Sequence, residues 1–268
     1  KNTHLMVIPA GGGTAPVSLS GSLDRPVAGW PAFMTGRTFD WEPDGRSLLF
    51  LAGDRGTQAV YRASVNEESA AKVLDGERQI EAFALSPSGE RIAFTAIWTT
   101  APPEVYSTTL AGGAREINLS HANDEIRGVA EIAPTRRVQY KAPDGLEIEA
   151  FVLYPPDYKK GRAYPLAVNV HGGPHSYHPG SRGWIQFQAL AGRGYVVMLP
   201  NPRGSITYGE AFTEACVRDW GGKDYEDIMA GVDALVEKGV ADPARLYLGG
   251  YSYGGFMTSW AIGHTTRF

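Results

Sequence analysis

The stretch Leu246-Tyr-Leu-Gly-Gly-Tyr-Ser252-Tyr-Gly-Gly255 decides the fold, because an apolar run ends in Gly-x-Ser-x-Gly and passes directly into a helix-like sequence. A serine at such a strand-to-helix turn sits in a strained conformation. Its neighbours two positions away must lack side chains if strand and helix are to approach, and Gly250 and Gly254 meet that need. The turn lifts the Ser252 hydroxyl into a pocket and leaves the amide of Tyr253 free to point at the same place. Taken alone, the motif also fits an ordinary structural turn in a chain with 33 glycines among 268 residues.

Some 80 residues upstream lies a second loop of the same kind, Val168-Asn-Val-His171-Gly172-Gly173-Pro174-His175, again an apolar run ending in glycines. Acyl transfer needs hydrogen-bond donors where negative charge develops on the substrate carbonyl oxygen. A glycine loop after an early strand, here Gly172 and Gly173, supplies one donor, and the residue after the serine, Tyr253, supplies the other. The order along the chain, glycine loop first and elbow second, is the one this chemistry uses.

The first 130 residues have a different texture: short runs rich in β-branched and aromatic residues, broken at close intervals by Gly, Pro, Asp and Ser, with no helical period. This is an all-β region with an internal repeat. Trp41-Glu-Pro-Asp-Gly-Arg-Ser-Leu-Leu-Phe50 aligns with Leu85-Ser-Pro-Ser-Gly-Glu-Arg-Ile-Ala-Phe94 at an offset of 44 residues. Ala59-Val-Tyr61 aligns with Glu104-Val-Tyr106 one residue further apart, and Pro9-Ala-Gly-Gly12 with Leu110-Ala-Gly-Gly113. A period of about 40 to 50 residues with several short strands per unit reads as propeller blades; a small β-sandwich with two similar hairpins is the other reading. About two and a half units are expected where a ring needs roughly four to eight, so the propeller is incomplete in this chain.

From about Val138, two alternating strands flank Pro143-Asp-Gly145. Beyond them, apolar runs at 165–170, 195–200 and 245–250 alternate with helical patterns near 183–193, 224–238 and 254–263. Asp242-Pro243 reads as a turn into the last of these strands. Continuous apolar strands alternating with helices argue for a mostly parallel sheet covered on both faces, an α/β fold, and the Gly-x-Ser-x-Gly elbow at its last strand end resembles that of an α/β-hydrolase. The expected domains are 1–130, the C-terminal blades of a propeller, and 131–268, the N-terminal half of the hydrolase domain.

Four ordered motifs, HGGPH at 171–175, NPRGS at 201–205, DWGGKDYEDIMAGVDAL at 219–235 and DPARLYLGGYSYGGFMTSW at 242–260, resemble the prolyl oligopeptidase family of serine peptidases. The likeness is strongest to its acylaminoacyl-peptidase and dipeptidyl-aminopeptidase-like branch. It implies a peptidase acting on short peptides, with Ser252 as nucleophile forming an acyl-enzyme, the amides of Tyr253 and of the Gly172-Gly173 loop as oxyanion donors, and a propeller that excludes folded proteins. No cofactor is implied. A carboxylic-ester hydrolase and a catalytically silent binding module of the same fold stay open as alternatives.

In this fold the triad runs Ser, acid, His along the chain. After Ser252 there is no Asp or Glu and a single histidine, His264, twelve positions on in a helix that advances about 1.5 Å per residue. His264 is therefore not expected to be the base. The resemblance implies an Asp and a His beyond Phe268, so the chain is expected to be a piece of a longer polypeptide whose true N-terminus also lies outside it. His171, His175 and His178 cluster, but with no nearby carboxylate or cysteine and no zinc-like spacing no metal is expected. Asp219, Asp224 and Asp227 precede the serine and read as structural, with Asp224 and Asp227 in the first turn of a helix where negative charge offsets its dipole. Glu67-Glu68 resembles the paired glutamates with which some dipeptidyl peptidases of this family hold a free amino terminus, yet its place in the repeat matches a hairpin connection, and a solvated turn is expected.

A net charge of −4 offers no basic patch for nucleic acid and no polybasic stretch for a membrane surface, and no apolar run is long enough to span one. Cys216 is the lone cysteine and excludes an internal disulfide. The expected partners are oligopeptide substrates and the remainder of the same polypeptide. Homo-oligomerisation is compatible with the sequence, and a cytoplasmic setting is favoured.

Overall fold

The computed structural model describes residues 2–27, 38–67, 69–111, 115–180 and 185–268. It divides into two compact units, Lys1–Val129 with Thr207–Glu210, and Ala130–Ile206 with Ala211–Phe268.

The first unit opens with a small antiparallel pair, β1 (Met6–Val7) and β2 (Val17–Ser18). Two four-stranded antiparallel meanders follow. The first consists of β3 (Phe39–Trp41), β4 (Ser47–Asp54), β5 (Thr57–Ser64) and β6 (Ala70–Leu74). The second consists of β7 (Arg78–Leu85), β8 (Arg91–Trp98), β9 (Ala101–Thr109) and β10 (Ile117–Asn118). The Pro-Asp-Gly and Pro-Ser-Gly turns close the first hairpin of each, with Gly45 N–H donating to Glu42 O and Gly89 N–H to Ser86 O. Of the third, partial copy, Pro9–Gly12 forms the turn before β2, whereas Gly112 and Gly113 lie outside the described residues.

The repeat extends to side-chain pairs. Phe50 faces Tyr61 across β4 and β5, and Phe94 faces Tyr106 across β8 and β9; the rings stack at 5.8 Å and 5.7 Å. The extra residue in the second copy is taken up by a register shift between Ala96 and Trp98, opposite Pro102-Pro103, where a proline can do without a ladder hydrogen bond. Strand β4 is apolar without alternation because both of its faces are covered. Leu48, Phe50 and Ala52 pack with Leu5, Leu19 and Val27, while Leu49 and Leu51 pack with Ile80, Phe83, Ile92 and Phe94 of the second meander.

The two meanders meet at one backbone bridge, Gln58 to Gln79, and the side chains extend the link: Gln58 Nε2 donates to Ile80 O and Gln79 Nε2 to Gly56 O, both at 2.8 Å. Buried amides so paired carry the hydrogen bonding where the strands diverge. A short helix, α1 (Asp124–Val129), stands where the sequence showed no helical period; six residues are too few to express one. Glu67 is exposed between β5 and β6, and Glu68 lies outside the described residues.

The second unit is a five-stranded sheet in the order β11 (Thr135–Lys141), β12 (Glu147–Leu153), β14 (Val196–Asn201), β13 (Tyr164–Val170), β15 (Ala241–Gly250). The junctions β14–β13 and β13–β15 are parallel, whereas β11–β12 and β12–β14 are antiparallel. The expected mostly parallel sheet thus holds for the three strands that carry the glycine, NPRGS and serine loops, and gives way at the β11–β12 hairpin around Gly145. Helix α2 (Ile185–Gly192) covers one face through Phe187 and Ala191, against Phe151, Leu153, Val197 and Leu199. On the other face, α4 (Lys223–Glu237) and α5 (Tyr253–His264) bring Ile228, Val232, Leu235 and Met257 onto Val152, Leu166, Val168 and Met198. A fifth helix, α3 (Glu210–Glu214), is a single short turn not foreseen from the sequence. The expected turn at Asp242-Pro243 is a bulge inside β15: its pairing with β13 jumps from Ala241 to Leu246, and Asp242 accepts from Ala244 N–H and the Arg245 guanidinium.

In the second meander, the buried carboxylate of Glu104 holds the chain after β10. It accepts from the Ser120 hydroxyl, from the amides of Ala122 and Asn123 and from Asn123 Nδ2, and these donors pull its pKa from 4.5 down to about 2. A depressed carboxylate pKa contributes stability that is complete above 4.5 and is lost as pH falls toward 2. Glu104→Gln is therefore expected to lower the melting temperature at pH 7 and to match the parent near pH 2. Equal melting temperatures at pH 7 would show that the carboxylate is not holding the loop.

Candidate active site

Strands β13 and β15 run parallel with Val170 paired to Gly250, so their C-terminal ends are level and the loops that follow emerge side by side. After Val170 comes His171-Gly172-Gly173; after Gly250 comes Tyr251-Ser252. A Cβ placed on Gly172 would lie 3.4 Å from the Cβ of Ser252 and 3.2 Å from the Tyr251 carbonyl oxygen, so the glycine loop rests against the elbow. The two motifs, 80 residues apart in the chain, are one locus in the fold.

Ser252 has φ 57° and ψ −115°, a backbone region that L-residues rarely occupy and that costs on the order of 1–3 kcal/mol. It occupies the N-cap position of α5 yet makes no side-chain cap hydrogen bond, which is the ordinary use of a serine there. The residue is exposed. Its hydroxyl is thus presented at the strand end without capping the helix.

The need for glycine on either side is more specific than strand–helix approach alone. A Cβ on Gly254 would sit 2.0 Å from the carbonyl oxygen of Val170, and one on Gly250 would sit 2.5 Å from that same oxygen and 2.7 Å from the Gly254 backbone. Helix α5 starts in backbone contact with the neighbouring strand β13. That contact draws the elbow and the glycine loop together.

Tyr253 is the first residue of α5, so its N–H has no acceptor within the helix and lies at the positive end of the helix dipole. Its side chain is buried, with the phenol donating to Asp224 Oδ2, while Asp224 Oδ1 accepts from the amides of Gly221 and Tyr225 at 2.8 Å. Burial raises both the Asp224 carboxyl and the Tyr253 phenol, so the phenol stays protonated and donating at neutral pH.

Asp224 lies in the first turn of α4 as expected and accepts from amides there, whereas the structural role of Asp227 takes another form than helix-dipole compensation. Asp227 lies beyond the first turn of α4, and both Asp224 and Asp227 are fully buried. Asp227 binds Arg203 of the NPRGS loop through the Arg203 amide, Nε and Nη2, and Arg203 also pairs with Asp144 of the β11–β12 turn at 2.8 Å and 3.0 Å. Asp219 accepts from the amide of Lys223 at the start of α4. The spacing that places Asp224 and Asp227 with Ile228, Gly231, Val232 and Leu235 on the inner face of α4 is legible in the sequence; it is the signal of their burial.

The histidines of the glycine loop are structural partners. His171 Nδ1 lies 2.7 Å from Gly172 O and its Nε2 2.9 Å from the Ser205 hydroxyl. His178 Nε2 lies 2.9 Å from Asn169 O, and its ring meets His171 edge-on at 5.4 Å. Burial lowers His171 to about 4 and His178 to about 3, so both are neutral at neutral pH. His175 Nδ1 lies 3.0 Å from Gly204 O. His264, as its position along the helix required, sits at the far end of α5 with Nδ1 2.7 Å from Trp260 O. Cys216 is buried, its thiol raised to about 11 by desolvation.

Residues 182–268 match the model of the prolyl oligopeptidase family, which takes in the NPRGS loop, the aspartate helix and the elbow. This segment belongs to the prolyl oligopeptidase family. The chain is 36% identical over 229 residues to the uncharacterised peptidase YuxL of Bacillus subtilis, spanning 85% of this chain and 34% of that protein. With dipeptidyl-peptidase 5 of Aspergillus fumigatus it shares 31% identity over 236 residues, 83% of this chain and 31% of that one. Among solved structures, an acylaminoacyl peptidase of Pyrococcus horikoshii superposes with a TM-score of 0.79 at 26% identity, covering 95% of this chain and 38% of that one. A puromycin-hydrolysing peptidase of Mycobacterium tuberculosis superposes at 0.71 and 28%, covering 96% and 39%. The chain spans about a third of the length of the curated relatives it matches.

Adding one methyl group at Gly254 tests the elbow geometry. Gly254→Ala is expected to lower stability by roughly 1–3 kcal/mol through overpacking against Val170 and to displace the serine. Gly249→Ala, where a Cβ meets nothing within 4 Å, is expected to be neutral. Equal melting temperatures for the two variants would mean that the close crossing is not a constraint.

Proposed function

We propose that this chain carries the nucleophile and oxyanion-binding part of a serine peptidase that hydrolyses short peptides. The observation that supports the reading is the lodging of Gly172 against Ser252 at level strand ends, beside an uncapped, strained serine that opens α5. In this reading Ser252 Oγ attacks the scissile carbonyl carbon while its proton passes to a histidine supplied by the rest of the polypeptide, which an aspartate orients. The carbonyl oxygen becomes an oxyanion facing the Tyr253 and Gly172-Gly173 amides. The C–N bond then breaks as the amine takes up that proton, and water hydrolyses the resulting ester.

Relatives named dipeptidyl-peptidase, acylaminoacyl peptidase and puromycin-hydrolysing peptidase support an amide of a short peptide or aminoacyl group as the bond cleaved. The two stacked four-stranded meanders are read as blades of a propeller, and the five-stranded sheet with its covering helices as the first part of an α/β-hydrolase domain. A completed ring of blades would admit flexible oligopeptides and exclude folded proteins.

In the complete polypeptide, Ser252→Ala is expected to lower peptide turnover by at least about 10³-fold with the melting temperature preserved. Near-normal turnover by that variant would place the nucleophile elsewhere. The size filter has its own measurement: a short peptide should be cut far faster than casein carrying the same cleavage site, and comparable rates would replace the gated cavity with an open cleft.

A further inference from the structure

We propose that Ser205 and His171 are positioning residues that set the direction of the Gly172–Gly173 peptide, and with it the Gly173 N–H that receives the substrate oxyanion. The inference rests on the reading of Ser252 as nucleophile and deepens it by naming what aims the second donor.

A carbonyl oxygen only accepts, so the short contact between His171 Nδ1 and Gly172 O requires the ring proton on Nδ1. Burial keeps the imidazole neutral, with a pKa of about 4, so it carries that one proton and Nε2 is an acceptor. The fully buried Ser205 hydroxyl, 2.9 Å away, is the donor to it. The same hydroxyl also donates to the Pro202 carbonyl at 2.6 Å, so its one proton is shared between that oxygen and His171 Nε2. The chain therefore runs from Ser205 Oγ–H to His171 Nε2, and from His171 Nδ1–H to the Gly172 carbonyl.

In a trans peptide the carbonyl and the following N–H point in opposite directions. With the Gly172 carbonyl held on the imidazole, the Gly173 N–H points away from that ring, in the opposite direction within the peptide plane. Gly173 has φ 123°, a backbone region that glycine enters and other residues rarely do. The scaffold under the serine is fixed from two directions: Thr213 Oγ1 donates to Ser205 O, and Ile206 N–H donates to Ser176 O. The serine thus transmits the position of the NPRGS loop, at the end of β14, to the oxyanion loop at the end of β13.

The experiment uses the complete polypeptide and a chromogenic peptide amide, comparing the parent with Ser205→Ala, His171→Asn and the double variant. Asparagine places an N–H near the position of Nδ1 and has nothing at Nε2. Ser205→Ala is expected to lower kcat about tenfold with KM within about twofold, a smaller loss than the roughly 10²–10³-fold that follows removal of an oxyanion donor. In the His171→Asn background the same serine change is expected to have no further effect. An unchanged kcat in Ser205→Ala, a raised KM with kcat intact, or an equal loss in both backgrounds would overturn the proposal. If Ser205→Ala does not fold, His171→Asn against His171→Phe decides: the asparagine variant should retain kcat within a few-fold and the phenylalanine variant should not, and equal loss in both would overturn it. A parent protein that turns over no peptide would instead count against the peptidase reading, an outcome distinct from all of these.

Discussion

The carbonyl oxygen of Val170 is the point against which the site is built. Both Gly250 and Gly254 close on it so tightly that neither tolerates a Cβ, and the start of α5 is thereby held against β13 as well as against its own strand. From that contact follow the conformation forced on Ser252, the position of the Tyr253 amide at the helix start and the contact between Gly172 and the serine. The strain at Ser252 persists because packing on both sides leaves the turn no alternative: Tyr253 is tied to Asp224 below it, and Met257 is sealed in the core one turn on.

A second layer of polar contacts supports this arrangement. The NPRGS loop sends Arg203 into a buried pairing with Asp227 that extends to Asp144, and Ser205 into contact with His171. Buried charges of this kind are tolerated when their hydrogen-bonding capacity is met, and Asp227 takes three donors from one arginine. Strands β13, β14 and β15 thus end in three loops that are mutually braced. Neutral, buried His171 and His178 belong to the bracing and do not change charge near neutral pH.

Much of this was legible in the residues. Helices α4 and α5 began and ended within one residue of their sequence patterns because each runs three turns or more with a clear start. The 44-residue repeat was legible because hairpin turns and cross-strand aromatic pairs recur in it, and its one-residue discrepancy has a physical home in the bulge at Pro102-Pro103. Contacts that depend on strand order were not legible: nothing local places β13 between β14 and β15, so the collision at Val170, the Ser205–His171 bond and the Tyr253–Asp224 bond had no sequence signature. Charged residues on the apolar face of α4 were read through the helix dipole, whereas their three-and-four spacing with Ile228, Val232 and Leu235 carried the stronger information, that they are buried. Helices α1 and α3 are too short to show a period at all.

The claim at the centre of this account is that Ser252, the Tyr253 amide and the Gly172-Gly173 loop form one oxyanion-stabilising site. A crystal structure of the complete polypeptide with a peptide boronate bound tests it most directly. The account predicts a covalent bond from Ser252 Oγ to boron, with one boronate oxygen about 2.7–3.1 Å from the amide nitrogens of both Tyr253 and Gly173. Boron on another residue, or a boronate oxygen turned away from both amides, would contradict it.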